Sequence, residues 1–149
     1  MNRSNTNVAG QLLGEYEALE YILLGDLRDL LEEPANKETC RWLLAVLDAL
    51  LETLPREMEL QEQGGYMEEV LEQYPNWSDQ VDELQHEKRA LYAKLRQLRD
   101  GISRERRFSK IAEEVRTGLR DWMSSLLAHH RHERRIVQTA FNLDVGTGD

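Results

Sequence analysis

The stretch VRTGLRDWMSSLLAHHRHERRIVQTA, Val115 to Ala140, decides the fold. Its apolar residues Val115, Leu119, Trp122, Leu126, Ile136 and Ala140 follow one another at helical spacing and form a single stripe. Two polar residues, His129 and Glu133, stand on the same stripe in an H-x-x-x-E step. A stripe of this kind faces a core, where an unpaired carboxylate is costly. Something inside must answer the pair: a metal ion, a lysine or a hydrogen-bond network.

Working outward, three more long segments carry the same periodicity. A first helix is expected from about Val8 to Glu33, with a seam of Val8, Leu12, Tyr16, Leu19, Leu23, Leu27 and Leu30, stopped by Pro34. A second begins near Asn36, with Leu43, Leu47, Leu50 and Leu54 on its seam, and Pro55 is expected to kink it. Gly64-Gly65 break that helix, and a short helical piece follows from Tyr66 to about Gln73. After the turn Tyr74-Pro75-Asn76, a third long helix carries Val81, Leu84, Lys88, Leu91, Leu95, Leu98 and Ile102. The fourth is expected from about Arg104 to Phe141. No segment alternates with period two. Long amphipathic helices on short connections predict an all-α fold, an up-down-up-down antiparallel four-helix bundle. The chain reads as a single domain, 1–149, with polar tails at about 1–7 and 142–149.

Bulk properties narrow the function classes. A net charge of −9 opposes a nucleic-acid partner. The basic group Arg104, Arg106, Arg107 and Lys110 reads as a solvated turn. One cysteine, Cys40, excludes an internal disulfide framework and suits a reducing, cytoplasmic setting. No apolar run is long enough for a membrane span, and MNRSNTN lacks the apolar stretch of a signal peptide. There is no Gly-rich phosphate loop, no G-x-S-x-G elbow and no C-x-x-C pair, so an enzyme is not the favoured reading. Trp42, Trp77 and Trp122 read as core or helix-end packing. The acidic middle of the chain, Glu59, Glu62, Glu68, Glu69, Glu72, Asp79, Asp82 and Glu83, is a solvated face or a surface for an unknown protein partner. Oligomeric state is not legible.

Polar residues on the seams are the candidate site. They are Tyr16 on the first helix, Thr53 and Glu57 on the second, Lys88 on the third, and His129 and Glu133 on the fourth. His86 lies roughly 160–180° from its helix's seam and should face solvent. His130 and His132 flank the stripe as rim residues.

The segments LLGEYEALEYIL, TLPREMEL, HEKRALYAKLRQL and HHRHERRIV together resemble the hemerythrin-like, or HHE cation-binding, family of four-helix bundles. The resemblance spans nearly the whole chain. It implies a di-iron centre that binds or senses oxygen, held by histidines and carboxylates from all four long helices. His129 and Glu133 match that family's pair, and Glu57 matches its carboxylate. Tyr16, Thr53 and Lys88 stand where the family has histidines.

Two readings follow, beside a plain bundle in which the alignment is off by a turn and all six are rim residues. In one, Lys88 lies between Glu57 and Glu133, Tyr16 donates its hydroxyl, and a buried ion-pair network replaces the metal, leaving a binding, sensing or scaffold protein without a cofactor. In the other, Glu57, His129 and Glu133 hold a single Fe, Zn or Mn ion for oxygen, iron or peroxide handling.

Overall fold

A computed structural model describes the backbone of residues 2–64 and 66–148, and the side-chain surroundings of residues 8, 10–62 and 69–139. The described residues form five α-helices and no strand. These are α1 (Asn2–Leu30), α2 (Lys37–Gly64), α3 (Tyr66–Gln73), α4 (Ser78–Arg104) and α5 (Phe108–Gly148), with a 3-10 turn at Pro75–Trp77. None is long and apolar enough to cross a membrane.

The boundaries follow from local chemistry. Asn36 precedes α2, and its Oδ1 accepts the Thr39 backbone N–H at 2.8 Å, the bond expected of an N-cap residue. Pro55 lies inside α2, yet the helix continues past it to Gly64. Gly65 lies outside the described residues. Glu105 is extended, with φ −86° and ψ 127°, and closes α4, so α5 starts at the buried Phe108 rather than at Arg104. Both chain ends are helical where tails were expected, α1 from Asn2 and α5 through Asn142 to Gly148. Neither end contains proline, and its Asn, Ser, Thr and Gly residues each disfavour a helix by only about 1 kcal/mol or less.

α1 packs on α2, α2 on α4 and α4 on α5, while α3 touches α2 and α5. The main core is built from Leu23, Leu27 and Leu31 of the α1 end, Leu43, Val46, Leu47 and Leu50 of α2, Leu95 and Ile102 of α4, and Val115, Leu119, Trp122 and Leu126 of α5. Each such Leu contributes about 1.5–3 kcal/mol by leaving water. Trp122 also ties α5 to α4, its indole N–H donating to the Leu91 carbonyl at 2.8 Å. Leu98 packs against Gly118, where an added Cβ would lie 2.9 Å from its Cδ2. Arg99 binds Asp48 at 2.7 Å across α4 and α2. Arg120 binds Glu32 at 3.0 Å from α5 to the turn after α1.

Two expectations about packing are corrected. Trp42 is 59% exposed and packs into no core. On α1 the buried line is Glu20, Leu23, Leu27 and Leu31, whereas Leu19 is 41% exposed. Moving one position along a helix turns the side chain by about 100°, so the inward place expected for Leu19 belongs to Glu20.

Candidate functional site

Beyond the main core the inward positions become polar. Glu20, Thr53, Glu57 and His129 are all buried to 5% exposure or less, and Lys88 and Glu133 are half-buried beside them. A second apolar group, Val70, Val81, Leu84 and Ile136, is buried without joining the main core.

Lys88 Nζ lies 3.0 Å from Glu133 Oε2 and also donates to Gln61 Oε1. Burial would raise the Glu133 carboxyl. The His129 ring and the Lys88 ammonium outweigh that and hold it down at about 2, so it is ionised at neutral pH. His129 Nδ1 bonds Glu87 Oε2 at 2.9 Å, and His132 Nδ1 reaches the same carboxylate at 3.0 Å. Burial opposes ionisation of Glu87, but those two hydrogen bonds lower its pKa below the ordinary value. An ionised carboxylate only accepts, so each Nδ1 carries the proton. His129 Nε2 then points toward Glu133 at 3.6 Å, too far for a hydrogen bond, and has no hydrogen-bond partner among the described residues.

On the α1 side, His130 Nε2 lies 3.3 Å from Glu20 Oε1. The Glu20 hydrogen bond raises the His130 pKa against the opposing effect of burial. Glu20 also meets Glu57. Burial, then the Glu20 charge and a hydrogen bond with it, push Glu57 up to about 9, so this acid is neutral at pH 7. Its Oε1 has no hydrogen-bond partner among the described residues. A cavity of about 30 Å³ touches Glu57, Lys88, His129 and His130.

The six sequence candidates therefore divide. Lys88, Glu133 and His129 come together as one group. Glu57 joins Glu20 instead of bridging to Lys88, which pairs with Glu133 and Gln61. Thr53 is buried, but its hydroxyl donates to its own helix at the Ala49 carbonyl, 2.7 Å away. Tyr16 is half-buried, and no hydrogen bond links its hydroxyl to the network among the described residues. His86 is exposed, as its helical angle implies.

Glu20, Glu87 and Gln61 were missed, and His130 and His132 were placed on the rim although each bonds a network carboxylate. One signal was available for Glu87. It is offset by one residue from Lys88 and by four from Leu91, so it lies beside the seam, within reach of a histidine on a neighbouring helix.

The di-iron centre implied by the resemblance does not fit these side chains. An ammonium offers no lone pair, and Lys88 is held against Glu133. The Thr53 hydroxyl, which stands where the family has a histidine, is engaged on its own helix at the Ala49 carbonyl. Among the described residues no three His, Cys, Asp or Glu side chains are placed to hold a metal ion. Comparison with known proteins found no matching family model, no matching curated protein and no matching solved structure.

Proposed function

We propose that this chain is a hemerythrin-like, up-down-up-down antiparallel four-helix bundle in which a buried ion-pair network takes the place of a metal centre. It acts in binding, sensing or as a scaffold rather than in turnover, in a reducing cytoplasmic setting. The bundle reading is supported by the direction of the cross-helix contacts. Arg120 and His130 of α5 meet Glu32 and then Glu20 of the α1 hairpin, and Trp122 and His129 meet Leu91 and then Glu87 of α4. Arg99 and Lys88 of α4 meet Asp48 and then Gln61 of α2. Each pair runs in opposite senses.

The observation that carries the functional reading is Lys88, whose ammonium lies 3.0 Å from Glu133 and neutralises the carboxylate that a cation would otherwise hold. A second reading, one Fe, Zn or Mn ion on Glu57, His129 and Glu133, draws on the open His129 Nε2 and Glu57 Oε1. It requires Lys88 to leave Glu133. With the metal role gone, function moves to the surface, where the acidic residues Glu59, Glu62, Glu69, Glu72, Asp79, Asp82 and Glu83 are exposed.

Thermal unfolding with and without Fe²⁺, Zn²⁺ or Mn²⁺ tests this. A ligand present at 100 times its Kd stabilises the fold by about 2.7 kcal/mol. The network reading expects no shift with any of the three ions. A clear upward shift that disappears in His129→Ala would favour the single-metal reading.

A further inference from the structure

Seven large apolar side chains are exposed among the described residues, and five of them sit on α1: Val8, Leu12, Leu19, Tyr21 and Ile22. At about 100° per residue, Val8, Leu12, Leu19 and Ile22 fall within roughly 80° of one another, in a strip beside the buried line of Leu23 and Leu27. Ala18, Gly14 and Gly10, all exposed, continue that strip round the outside of the helix to Tyr21. A Cβ added at Gly10 or Gly14 would meet nothing within 4 Å. Glu15 is the one charge inside this face, with Glu17 and Asp26 at its margins, and no Lys or Arg lies between Val8 and Asp26. The outer side of α4 is the contrast: it exposes Asp82, Glu83, Arg89, Lys94 and Arg96 and no large apolar side chain.

Apolar side chains scattered singly over a surface need no explanation, but a continuous patch of them marks an interaction site. On the Tyr21 side the patch passes to Leu24 and then to Leu127 of α5, 49% exposed, which lines the same cleft. From the rise and diameter of a helix, the outer half of α1 between Val8 and Gly25 offers roughly 500–600 Å². With Leu127 at its flank, two copies face to face bury roughly 1,200 Å², where specific stable interfaces begin. A lipid surface fits poorly, because the face lacks the basic flanks that draw a helix to anionic headgroups. A basic partner would want a row of carboxylates, and one lies within the face. A second copy needs a patch complementary to itself. This face has that property, since it carries large side chains and small recesses side by side. Leu and Ile of one copy can seat against Gly14 and Ala18 of the other.

We propose that this chain forms a two-fold homodimer through the outer face of α1, with Leu12, Leu19, Tyr21 and Ile22 packing against the Gly10, Gly14 and Ala18 positions of the second copy. The apolar strip supplies the attraction. Glu15 of each copy and the net charge of −9 per chain oppose it, so the association is of modest strength and strengthens as salt screens the repulsion. The inference stands on α1 alone and does not require that a metal has been lost.

The test is analytical ultracentrifugation of the full chain over a range of concentrations. The expected result is a monomer–dimer equilibrium with a Kd of roughly 1–100 µM, tighter at high salt than at low. Ile22→Arg changes an exposed residue and enters the interface twice, so it should weaken the dimer by about ten-fold or more. Gly14→Gln gives two opposite readouts: the dilute monomer should melt higher, because Gly is a poor helix former, while the filled recess weakens the dimer by about ten-fold. Glu15→Gln should tighten it. Glu83→Gln, an exposed residue of α4, should dimerise as the parent does. A chain that stays monomeric up to about 1 mM would overturn the proposal, and so would a dimer that Ile22→Arg and Gly14→Gln leave unchanged. A dimer that dissociates as salt is raised would also overturn it, because charge rather than apolar surface would then hold the copies together. So would a monomer that sediments with phosphatidylcholine–phosphatidylglycerol vesicles and loses them in Ile22→Arg, which would assign the face to lipid. None of these outcomes changes the iron content of the purified protein, so the two proposals fail independently.

Discussion

Replacing Lys88 by Met keeps most of the side-chain volume and removes the ammonium. Glu133 then stays in its half-buried place with Lys88 gone, and the one basic group left within 4 Å among the described residues is His129 Nε2 at 3.6 Å. Its carboxyl is held at about 2 against an ordinary value of 4.5. Each unit of that difference corresponds to about 1.4 kcal/mol, giving a net of about 3.5 kcal/mol that remains after His129 and Lys88 have offset the cost of burial. The two paired side chains remain 19% and 23% exposed, so water screens part of the interaction. A loss of about 2 kcal/mol at pH 7 is expected for Lys88→Met.

The pH dependence has a definite sign. Glu133 is lowered in the folded state, so its stabilisation is present above the unfolded value and fades as pH falls from 4.5 toward about 2. Urea unfolding of the two proteins at pH 7 should therefore show a gap that narrows at pH 3. Adding Glu133→Gln to Lys88→Met should recover part of the loss, because no charge is then stranded. A loss below about 0.5 kcal/mol at pH 7, the range of ordinary surface changes, would refute the reasoning.

Other outcomes follow from the same structure. Glu57 is raised to about 9, so between 4.5 and 9 the folded state holds a proton that the unfolded state has lost, and stability declines as pH rises through that window. Glu57→Gln should remove this slope and be more stable than the parent at pH 8 by about 1 kcal/mol or more, as read from urea midpoints at pH 5 and pH 8. Trp122→Phe loses the indole bond to the Leu91 carbonyl and some packed volume. It should cost about 1–2 kcal/mol, measured by chemical unfolding. Gly25→Ala places a methyl in open space on α1 and should raise stability by about 0.5–1 kcal/mol, visible as a higher Tm.

Much of the helical architecture was legible because hydrophobic period is a strong signal in a long helix. Leu43, Leu47 and Leu50 of α2, and Val115, Leu119, Trp122 and Leu126 of α5, are buried where their spacing puts them. The α1 seam was harder. The lines through Leu19 and Glu20 are both regular, and a single sequence offers no reason to bury a glutamate over a leucine until His130 and Glu57 are in view. The candidate site was legible for the same reason in His129, Glu133 and Lys88, each a polar residue on an apolar stripe. Glu87 and Gln61 were not, because their roles depend on the rotation and register of a neighbouring helix. Those quantities are set by tertiary packing. Chain ends were misjudged because polar composition weakens a helix without forbidding it.

The central claim is that Lys88 stands in for a metal. It is tested most directly by elemental analysis and an ultraviolet–visible spectrum of protein purified without chelator or affinity metal, then incubated with Fe²⁺. The account predicts no stoichiometric metal and no oxo-bridge absorption. Two irons per chain, with that absorption and its loss in His129→Ala, would contradict it.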